Sequence, residues 1–401
     1  MAVFIFLKQI VDMLYQYQVL DYGMVLLALF LLIQRVYTQK IYKNIKYWMC
    51  GTDYIVMALM GAYLLSFIRC PDFYGIFFKV ESCFLIYFLG RAYGTELMKY
   101  GKTAAVVGYA LIYINLIYRF YQFGYTLILK GPAITLINEG GLYYYKTDMA
   151  IGMMIAVMFI YMFSEKKILK WITIIPIAGY MIFYSGARME KFLFVIEYIC
   201  IILCEVEQKT HFRMKWRNKG IQVLTVVGGV LIVGGFLLLQ VFPFEKIMEQ
   251  TNIDVGLGST IENLMHSRQI IWWDILRYFS DQPLHIRLLG IDLGTEALHN
   301  AAGQRAHSTF IKTIYATGYV GCALWYGFVC ALLKYVTHTE ERKLTYMVLI
   351  LWIMFLGAGL SIESMESTQM SWFPMLYAGA LLSIREWKNG EIHEQEAKYC
   401  K

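Results

Sequence analysis

The hydrophobic pattern of this chain is a series of long apolar runs separated by short polar segments. A helix that crosses a bilayer needs about 17–25 apolar residues, and eleven runs come close to or reach that length. They lie at 19–37, 52–68, 73–90, 103–120, 149–164, 170–186, 190–206, 221–241, 308–333, 344–361 and 371–384. Residues 1–18 are also apolar but carry Lys8 and Asp12, which suits a short interfacial helix or a twelfth span. The pattern predicts an all-α, polytopic membrane protein with 11–12 transmembrane helices, forming a single membrane domain over 1–401.

Composition excludes the ordinary soluble classes. Hydrophobic residues make up 59% of the 401 residues, charged residues 16%, and the mean hydropathy is +0.51. A soluble domain carries roughly 45–50% apolar and about 25% charged residues, and it cannot hide this much apolar surface from water. We therefore expect an integral membrane protein rather than a cytosolic enzyme, a coiled coil or a disordered chain.

The net charge of +7 indicates topology rather than binding to nucleic acid. Lys and Arg accumulate in cytoplasmic loops, and alternate connecting segments hold most of them, including 207–220 and the tail after 385. This arrangement predicts a cytoplasmic C-terminus and an extracytoplasmic segment 242–307, which is the longest loop. Long loops in compact proteins are usually functional or disordered, and the stretch 261–279 has helical spacing, so we expect order.

Two arginines are candidates for binding an anion at the outer face. Arg188 follows Ser185-Gly186-Ala187 at the end of a span, and Arg268 follows His266-Ser267 at the start of an amphipathic stretch. Arginine donates two hydrogen bonds to phosphate oxygens in a fixed fork, and helix N-termini also attract anions. The alternatives are that Arg188 only extends its charge to water and that Arg268 is a solvated loop charge.

His307 is the candidate general base, because histidine titrates near neutral pH and this one stands where the long loop re-enters the membrane. His299 is its competitor, and a surface histidine at a helix cap is the structural alternative. Lys312, one helical turn beyond Ser308, is expected to face the same cavity. Glu363 and Glu366 in the last outer loop fit a polar turn, and Glu366 is also a candidate substrate contact. No His, Asp or Glu spacing is typical of a metal site, so we predict neither a metal nor another cofactor.

A wider pattern joins these residues. An Arg after Ser is followed by Trp and an apolar helix, then by Pro and Gly, then by His before an aromatic residue, and finally by two glycines at the start of a span. The residues concerned are Ser267, Arg268, Trp272, Trp273, Leu276, Phe279, Pro283, Gly290, His307, Phe310, Tyr315, Gly318 and Gly321. This stretch, 267–321, resembles the large outer loop of the O-antigen polymerase and O-antigen ligase superfamily, and Ser185–Arg188 resembles that family's Ser-Gly-Ser-Arg. Ser308 departs from the family's usual Asn, and Asp292 lies near the second loop glycine.

The resemblance implies a metal-independent membrane glycosyltransferase of the GT-C type, working at the outer face of the cytoplasmic membrane. Its donor would be a glycan on undecaprenyl diphosphate. By the family pattern, Arg188 and Arg268 would hold the diphosphate and stabilise it as a leaving group, and His307 would orient or deprotonate the acceptor hydroxyl. Ser267, Trp273, Lys312 and Glu366 are the further expected substrate contacts.

Three activities remain open at the level of sequence. A polysaccharide polymerase would extend O-antigen, capsule or exopolysaccharide by joining lipid-linked repeat units at the non-reducing end, and the looseness of the match favours it. The alternatives are an O-antigen ligase and a lipid-linked oligosaccharide flippase, although a flippase would place charges within spans rather than in one outer loop. Expected partners are the lipid-linked oligosaccharide, membrane lipids, a flippase and a chain-length regulator, with no nucleic acid.

Overall fold

The structure is a computed structural model. It describes residues 1–14, 17–43, 45–124, 142–143, 145–166, 168, 170–210, 268–339 and 341–399. Within these ranges the chain forms helices and turns and no strand, so the all-α prediction is confirmed there.

The first half of the chain supplies eight main helices in the described ranges. They are α1 (Ala2–Met13), α2 (Gln18–Thr38), α3 (Gly51–Arg69), α4 (Tyr74–Tyr93), α5 (Gly101–Phe123), α6 (Lys146–Phe163), α7 (Ile175–Tyr184) and α8 (Arg188–Thr210). The second half supplies α9 (Arg268–Ser280), α10 (Leu284–Leu289), α11 (Thr309–His338), α12 (Arg342–Ala358) and α13 (Thr368–Tyr399). The predicted span 221–241 and the first part of the long loop, 242–267, lie outside the described residues.

Five helical stretches are long and apolar enough to cross a membrane. They are Val19–Thr38, Gly51–Arg69, Pro71–Gln122, Lys146–Phe163 and Thr309–Thr337. The third of them contains two predicted spans, which the structure forms as α4 and α5. Helices α7, α8, α12 and α13 cover four more predicted spans, while a total of 11–12 transmembrane helices stays a prediction. Large apolar side chains such as Leu26, Phe30 and Ile33 on α2 are exposed, which suits contact with lipid.

Helix α6 lies at the centre of the bundle. Of its membrane-length window, 83% is buried, because it packs against α5, α7, α8, α12 and α13. A continuous apolar core surrounds it. A smaller, separate core lies beneath α9 and consists of Ile271, Ile275, Ala306 and Tyr315. The helical spacing of the first two residues produces this apolar stripe, as the sequence predicts.

Helix α1 does not have the surroundings of an interfacial helix. It packs against α2, α5, α6 and α13, and Phe4 and Ile5 are fully buried. The ring of Phe4 stacks on Trp372 of α13 with 6.0 Å between centroids. Lys8 is buried as well, where it pairs with Asp12 one turn later. The two charges that suggested an interface thus satisfy each other inside the bundle.

Candidate functional site

The start of α11 is fixed to the loop 359–367, which joins α12 to α13. The backbone N–H of Thr309 lies 2.8 Å from the carbonyl oxygen of Gly359 and 3.1 Å from that of Ile362. The hydroxyl of Thr309 accepts the backbone N–H of Ser364 at 2.7 Å, and the hydroxyl of Ser308 donates to Gly359 O at 3.2 Å. The first N–H groups of a helix have no hydrogen-bond partner within the helix. Here carbonyl oxygens of the loop accept the first N–H of α11, and α11 in turn accepts an N–H of the loop.

His307 stands immediately before this junction in a strained backbone conformation. Its φ is +47°, a left-handed value that is uncommon for residues other than glycine. Its backbone N–H donates to Oε1 of Glu363 at 3.2 Å, so the loop also contacts the strained residue. Burial lowers the pKa of His307, and the positive charges of Arg268 and Arg305 lower it further. The imidazole is therefore neutral at neutral pH and able to accept a proton.

Arg268 begins α9 and reaches the same loop, where its Nη1 donates to the carbonyl oxygen of Ser361. Burial lowers its pKa, while the carboxylate of Glu190 counteracts that effect. Glu190 lies in the first turn of α8, which begins at Arg188. The starts of α8, α9 and α11 are thus neighbours at one end of the bundle. The structure describes Arg188 only through its backbone, and Ser267 lies outside the described residues.

Beside His307 lies an ion network, here called the Glu363 network, whose side chains are at most 9% exposed apart from that of Arg305, which is 43% exposed. It consists of Glu296, Arg305, Lys312, Glu363 and Glu366. Nη2 of Arg305 lies 2.6 Å from Oε2 of Glu363 and also contacts Oε2 of Glu366. Nζ of Lys312 lies 2.5 Å from Oε1 of Glu296 and 3.3 Å from Oε1 of Glu366. With all five groups ionised, three carboxylates face two cations.

The network shifts the pKa values of its two loop carboxyls, Glu363 and Glu366, in opposite directions. Burial raises the pKa of Glu363 to about 7, with a further contribution from the charge of Glu366. Burial would also raise the pKa of Glu366, but Lys312 and Arg305 outweigh it and lower that pKa. For Arg305, burial acts to lower the pKa, and the carboxylates of Glu366 and Glu363 raise it instead. Near neutral pH, Glu363 is thus the carboxyl that exchanges a proton.

A small cavity of about 10 Å³ adjoins the network, enough space for roughly one water molecule. Its lining includes Tyr63, Thr313, Lys312, Glu363 and Glu366. One buried carboxylate oxygen of the network, Oε2 of Glu296, accepts no hydrogen bond, while Oε1 of Glu366 faces Nζ of Lys312 at 3.3 Å. Buried polar atoms are nearly always satisfied, so this corner has unused capacity to accept hydrogen bonds.

Two glycines of the sequence pattern hold the long loop against α11. Gly318 interrupts α11 with φ +63°, and Gly290 follows α10 with φ +83°. A Cβ at Gly290 would lie 2.1 Å from the carbonyl oxygen of Ala316, and one at Gly318 would lie 2.5 Å from the nitrogen of Gly290. At the kink, the carbonyl of Tyr315 accepts the N–H of Ile291 at 2.7 Å. Only glycine permits this close approach.

The remaining predicted residues have different surroundings. Trp273 is half-buried on α9, whereas its neighbour Trp272 donates from Nε1 to Ala306 O at 2.6 Å and so connects α9 to the segment before His307. The ring of His299, the competing base, stacks on Tyr278 with 3.7 Å between centroids. Lys312 and Glu366 belong to the Glu363 network. Of the sequence candidates, the structure brings together Arg268, His307, Lys312 and Glu366.

Sequence reasoning missed the roles of three charged residues. Arg305, two positions before His307, and Glu296, earlier in the same loop, had no motif to mark them. Glu363 was noticed but interpreted as part of a polar turn. The available signal was density of charge: Arg305, His307 and Lys312 fall within eight positions of a chain that is only 16% charged. That density does not indicate Glu363 and Glu366, which come from a loop more than 50 residues away.

Among the residues that the structure describes, no group of three His, Cys, Asp or Glu side chains is arranged to hold a metal ion. The cationic side chains that the structure describes at this end of the bundle include Arg268, Arg305 and Lys312. No model of a known protein family, no curated protein and no solved structure matches this chain.

Proposed function

We propose that this protein is a polysaccharide repeat-unit polymerase of the cytoplasmic membrane. It transfers a glycan from undecaprenyl diphosphate to the non-reducing-end hydroxyl of another lipid-linked repeat unit. The observation that carries the proposal is the meeting of Arg268, His307 and the first turn of α8 at one end of a helical bundle that has membrane-length apolar helices. The family pattern read from the sequence assigns these same residues to the reaction.

The architecture we propose is a GT-C-like membrane domain with 11–12 transmembrane helices, a cytoplasmic C-terminus and an extracytoplasmic loop 242–307. The distribution of Lys and Arg supports this orientation. It places the His307 end of the bundle at the outer face, where lipid-linked repeat units are assembled into polymer. Reporter fusions at positions 255 and 395 should report opposite sides of the membrane, and the same side at both positions would overturn the orientation.

In the proposed mechanism the two arginines act on the leaving group. The bond from the donor sugar's anomeric carbon to the diphosphate oxygen breaks, and its electron pair stays on the diphosphate. Arg268 and Arg188 stabilise that developing charge through charge-assisted hydrogen bonds. The acceptor hydroxyl forms the new bond to the anomeric carbon, and His307 orients or deprotonates it. Arginine can neutralise the diphosphate without a metal, so we expect activity to survive EDTA.

The decisive test is reconstitution. The full chain is purified in detergent and given a synthetic undecaprenyl diphosphate repeat unit, and the products are separated by size. A ladder of lengthened, lipid-linked glycans in the presence of EDTA is the expected result. If the glycan moves only to a lipid A core acceptor, the protein is a ligase. If nothing lengthens but lipid-linked oligosaccharide crosses a vesicle bilayer, it is a flippase.

A further inference from the structure

Glu363 occupies the position between His307 and Arg305. Its Oε1 accepts the backbone N–H of His307 at 3.2 Å, and its Oε2 lies 2.6 Å from Nη2 of Arg305. Its side chain is 9% exposed, so it is shielded but not sealed. Through the backbone contact, this carboxylate is joined to the one strained non-glycine residue of the site, and such strain persists where the surroundings hold it in place.

Two carboxylates compete for the same guanidinium nitrogen. Both Glu363 and Glu366 contact Nη2 of Arg305. Like charges this close cannot both ionise freely, and one of the two retains a proton to higher pH than the other. Paired groups whose surroundings drive their pKa values apart are the usual acid and base of an enzyme site.

The neighbouring charges determine which carboxyl keeps the proton. Glu366 also faces Lys312, at 3.3 Å, and therefore stays ionised. The charged groups that face Glu363 are Arg305, Lys312, Glu366 and Glu296. The two carboxylates among them offset the two cations, and Glu363 is left to exchange its proton near neutral pH, where a general base works best.

The same corner has room and spare acceptors for a hydroxyl group. Glu363 and Glu366 both line the cavity of about 10 Å³. Oε1 of Glu366 faces Nζ of Lys312 at 3.3 Å and, as a carboxylate oxygen, can accept a second hydrogen bond. A hydroxyl group can donate to these carboxylate oxygens, and a diphosphate, having only acceptors, cannot.

We infer that Glu363 is the group that takes the proton from the acceptor hydroxyl, while His307 orients that hydroxyl. This inference rests on the proposed function. As the acceptor oxygen bonds to the anomeric carbon, its proton moves to the Glu363 carboxylate, and the electron pair of the broken bond leaves with the diphosphate. The protonated Glu363 then releases its proton to water, and the site is ready for another transfer.

The test compares variants of the detergent-purified full chain, using a synthetic undecaprenyl diphosphate repeat unit. Glu363→Gln keeps the shape of the side chain but cannot accept a proton, and its single amide oxygen can accept from only one of the two donors, the N–H of His307 or Nη2 of Arg305. We expect its rate of glycan lengthening to fall about 10²–10⁴-fold, with binding of the lipid diphosphate essentially unchanged. Glu363→Asp should recover part of the rate. Glu165→Gln, an exposed glutamate that pairs with Lys102, is the matched control and should behave like wild type.

The pH profile separates a base from a structural carboxylate. The wild-type rate should rise with pH through about 7, because the ionised form of Glu363 is the active one. His307→Gln should keep this rise, and Glu363→Gln should lose it. A Glu363→Gln enzyme with a near-normal rate and the same rise would overturn the inference while leaving the polymerase proposal intact. A wild-type chain that lengthens no glycan would overturn the proposed function, and the inference with it.

Discussion

The Asp53 cluster at the start of α3 and the Glu363 network are two groups of charges within the bundle, and they differ in almost every respect. At the first turn of α3, Asp53 meets Arg91 and Tyr87 of α4. Its Oδ1 accepts the Tyr87 hydroxyl at 2.7 Å and Nε of Arg91 at 3.0 Å, while its Oδ2 accepts Nη2 of Arg91 at 2.9 Å and the N–H of Cys50 at 2.7 Å. Further along α3, Tyr63 lines the cavity beside the Glu363 network, and Arg69 at the end of the helix donates to the carbonyl of Leu289 at 3.1 Å.

The difference supports the roles that we propose, which are structural for the Asp53 cluster and chemical for the Glu363 network. The Asp53 cluster has one charge of each sign, four hydrogen bonds to its carboxylate, and side chains no more than 1% exposed. The Glu363 network has an excess carboxylate, a buried oxygen of Glu296 without a hydrogen bond and an adjoining cavity. A buried ion pair whose hydrogen bonds are all made has no polar atom available to bind a substrate. An unbalanced network next to a strained histidine holds a proton that can move.

The largest expected effect is on turnover at the His307 end. His307→Ala, Arg268→Ala and Arg188→Ala should each lower the rate of glycan lengthening about 10²–10⁴-fold while the protein still accumulates in the membrane. Loss of either arginine should also weaken binding of the lipid diphosphate, and loss of His307 should not. Arg268→Lys should fail substantially, because an ammonium cannot replace the bidentate fork. Wild-type rates from all three alanine variants would contradict the proposal that this protein is an enzyme.

His299→Ala is the matched comparison and should be far milder, because that ring stacks on Tyr278 outside the network. The readout is the glycan ladder per amount of extracted protein. A normal ladder from His307→Ala together with a lost ladder from His299→Ala would reassign the histidine of the site without changing the class of enzyme.

Next in size is a loss of stability at the Asp53 end. Asp53→Ala leaves the buried guanidinium of Arg91 without its carboxylate, and breaking a buried pair in this way costs about 3–5 kcal/mol. Thermal unfolding in detergent should show a clear drop, with turnover per folded molecule unchanged at low temperature. Asp72→Ala, at an exposed position, is the control. A variant that melts like wild type would show that the sealed cluster is not structural.

A smaller effect concerns the pH dependence of stability. The folded-state pKa of Glu363 is about 7, above the ordinary 4.5, so between these values the folded protein binds more protons than the unfolded chain. Stability from this group is therefore greatest below about pH 4.5 and is lost as the pH rises to about 7. Glu363→Gln removes this dependence and should gain melting temperature relative to wild type at pH 8 more than at pH 5.

Glu366 does not interfere with that comparison. Its pKa is lowered, so the stability that it contributes is lost only as the pH falls below the ordinary pKa of a glutamate side chain. Equal differences in melting temperature at pH 5 and pH 8 would mean that Glu363 does not titrate in this window. Suppose that Glu363→Gln melts at a higher temperature than wild type at pH 8 but has a lower turnover. The Glu363 carboxylate would then lower the stability of the fold while raising the rate of the reaction.

The smallest effect is expected for an ion pair outside both clusters. Lys102 and Glu165 lie 2.5 Å apart but are 71% and 80% exposed, and water screens such pairs. Lys102→Ala should change neither the melting temperature nor the glycan ladder measurably. A clear loss in either assay would mean that exposure is a poor guide to the importance of charges in this protein.

The apolar runs are enough to predict an all-α chain, and within the described residues helices form where those runs lie. Long apolar runs must become helices in a membrane, since every backbone polar group needs a partner there. Of the predicted helical stretch 261–279, the described part forms α9, with Ile271, Ile275 and Phe279 buried. Gly290 and Gly318 could be recognised in the sequence pattern. The close contact between two backbone segments that requires glycine at these positions could not.

Tertiary structure alone decided which charges meet. Helical periodicity describes one face of one helix, so it cannot show that Glu363 contacts Arg305 and the backbone of His307, more than 50 positions away in the chain. Nor can it show that the charges of α1 lie inside the bundle, because Lys8 pairs with Asp12 only when four neighbouring helices exclude water. A local pattern determines a helix and its apolar face. The chemistry of a buried site depends on desolvation and on partners from distant segments, and only packing brings these together.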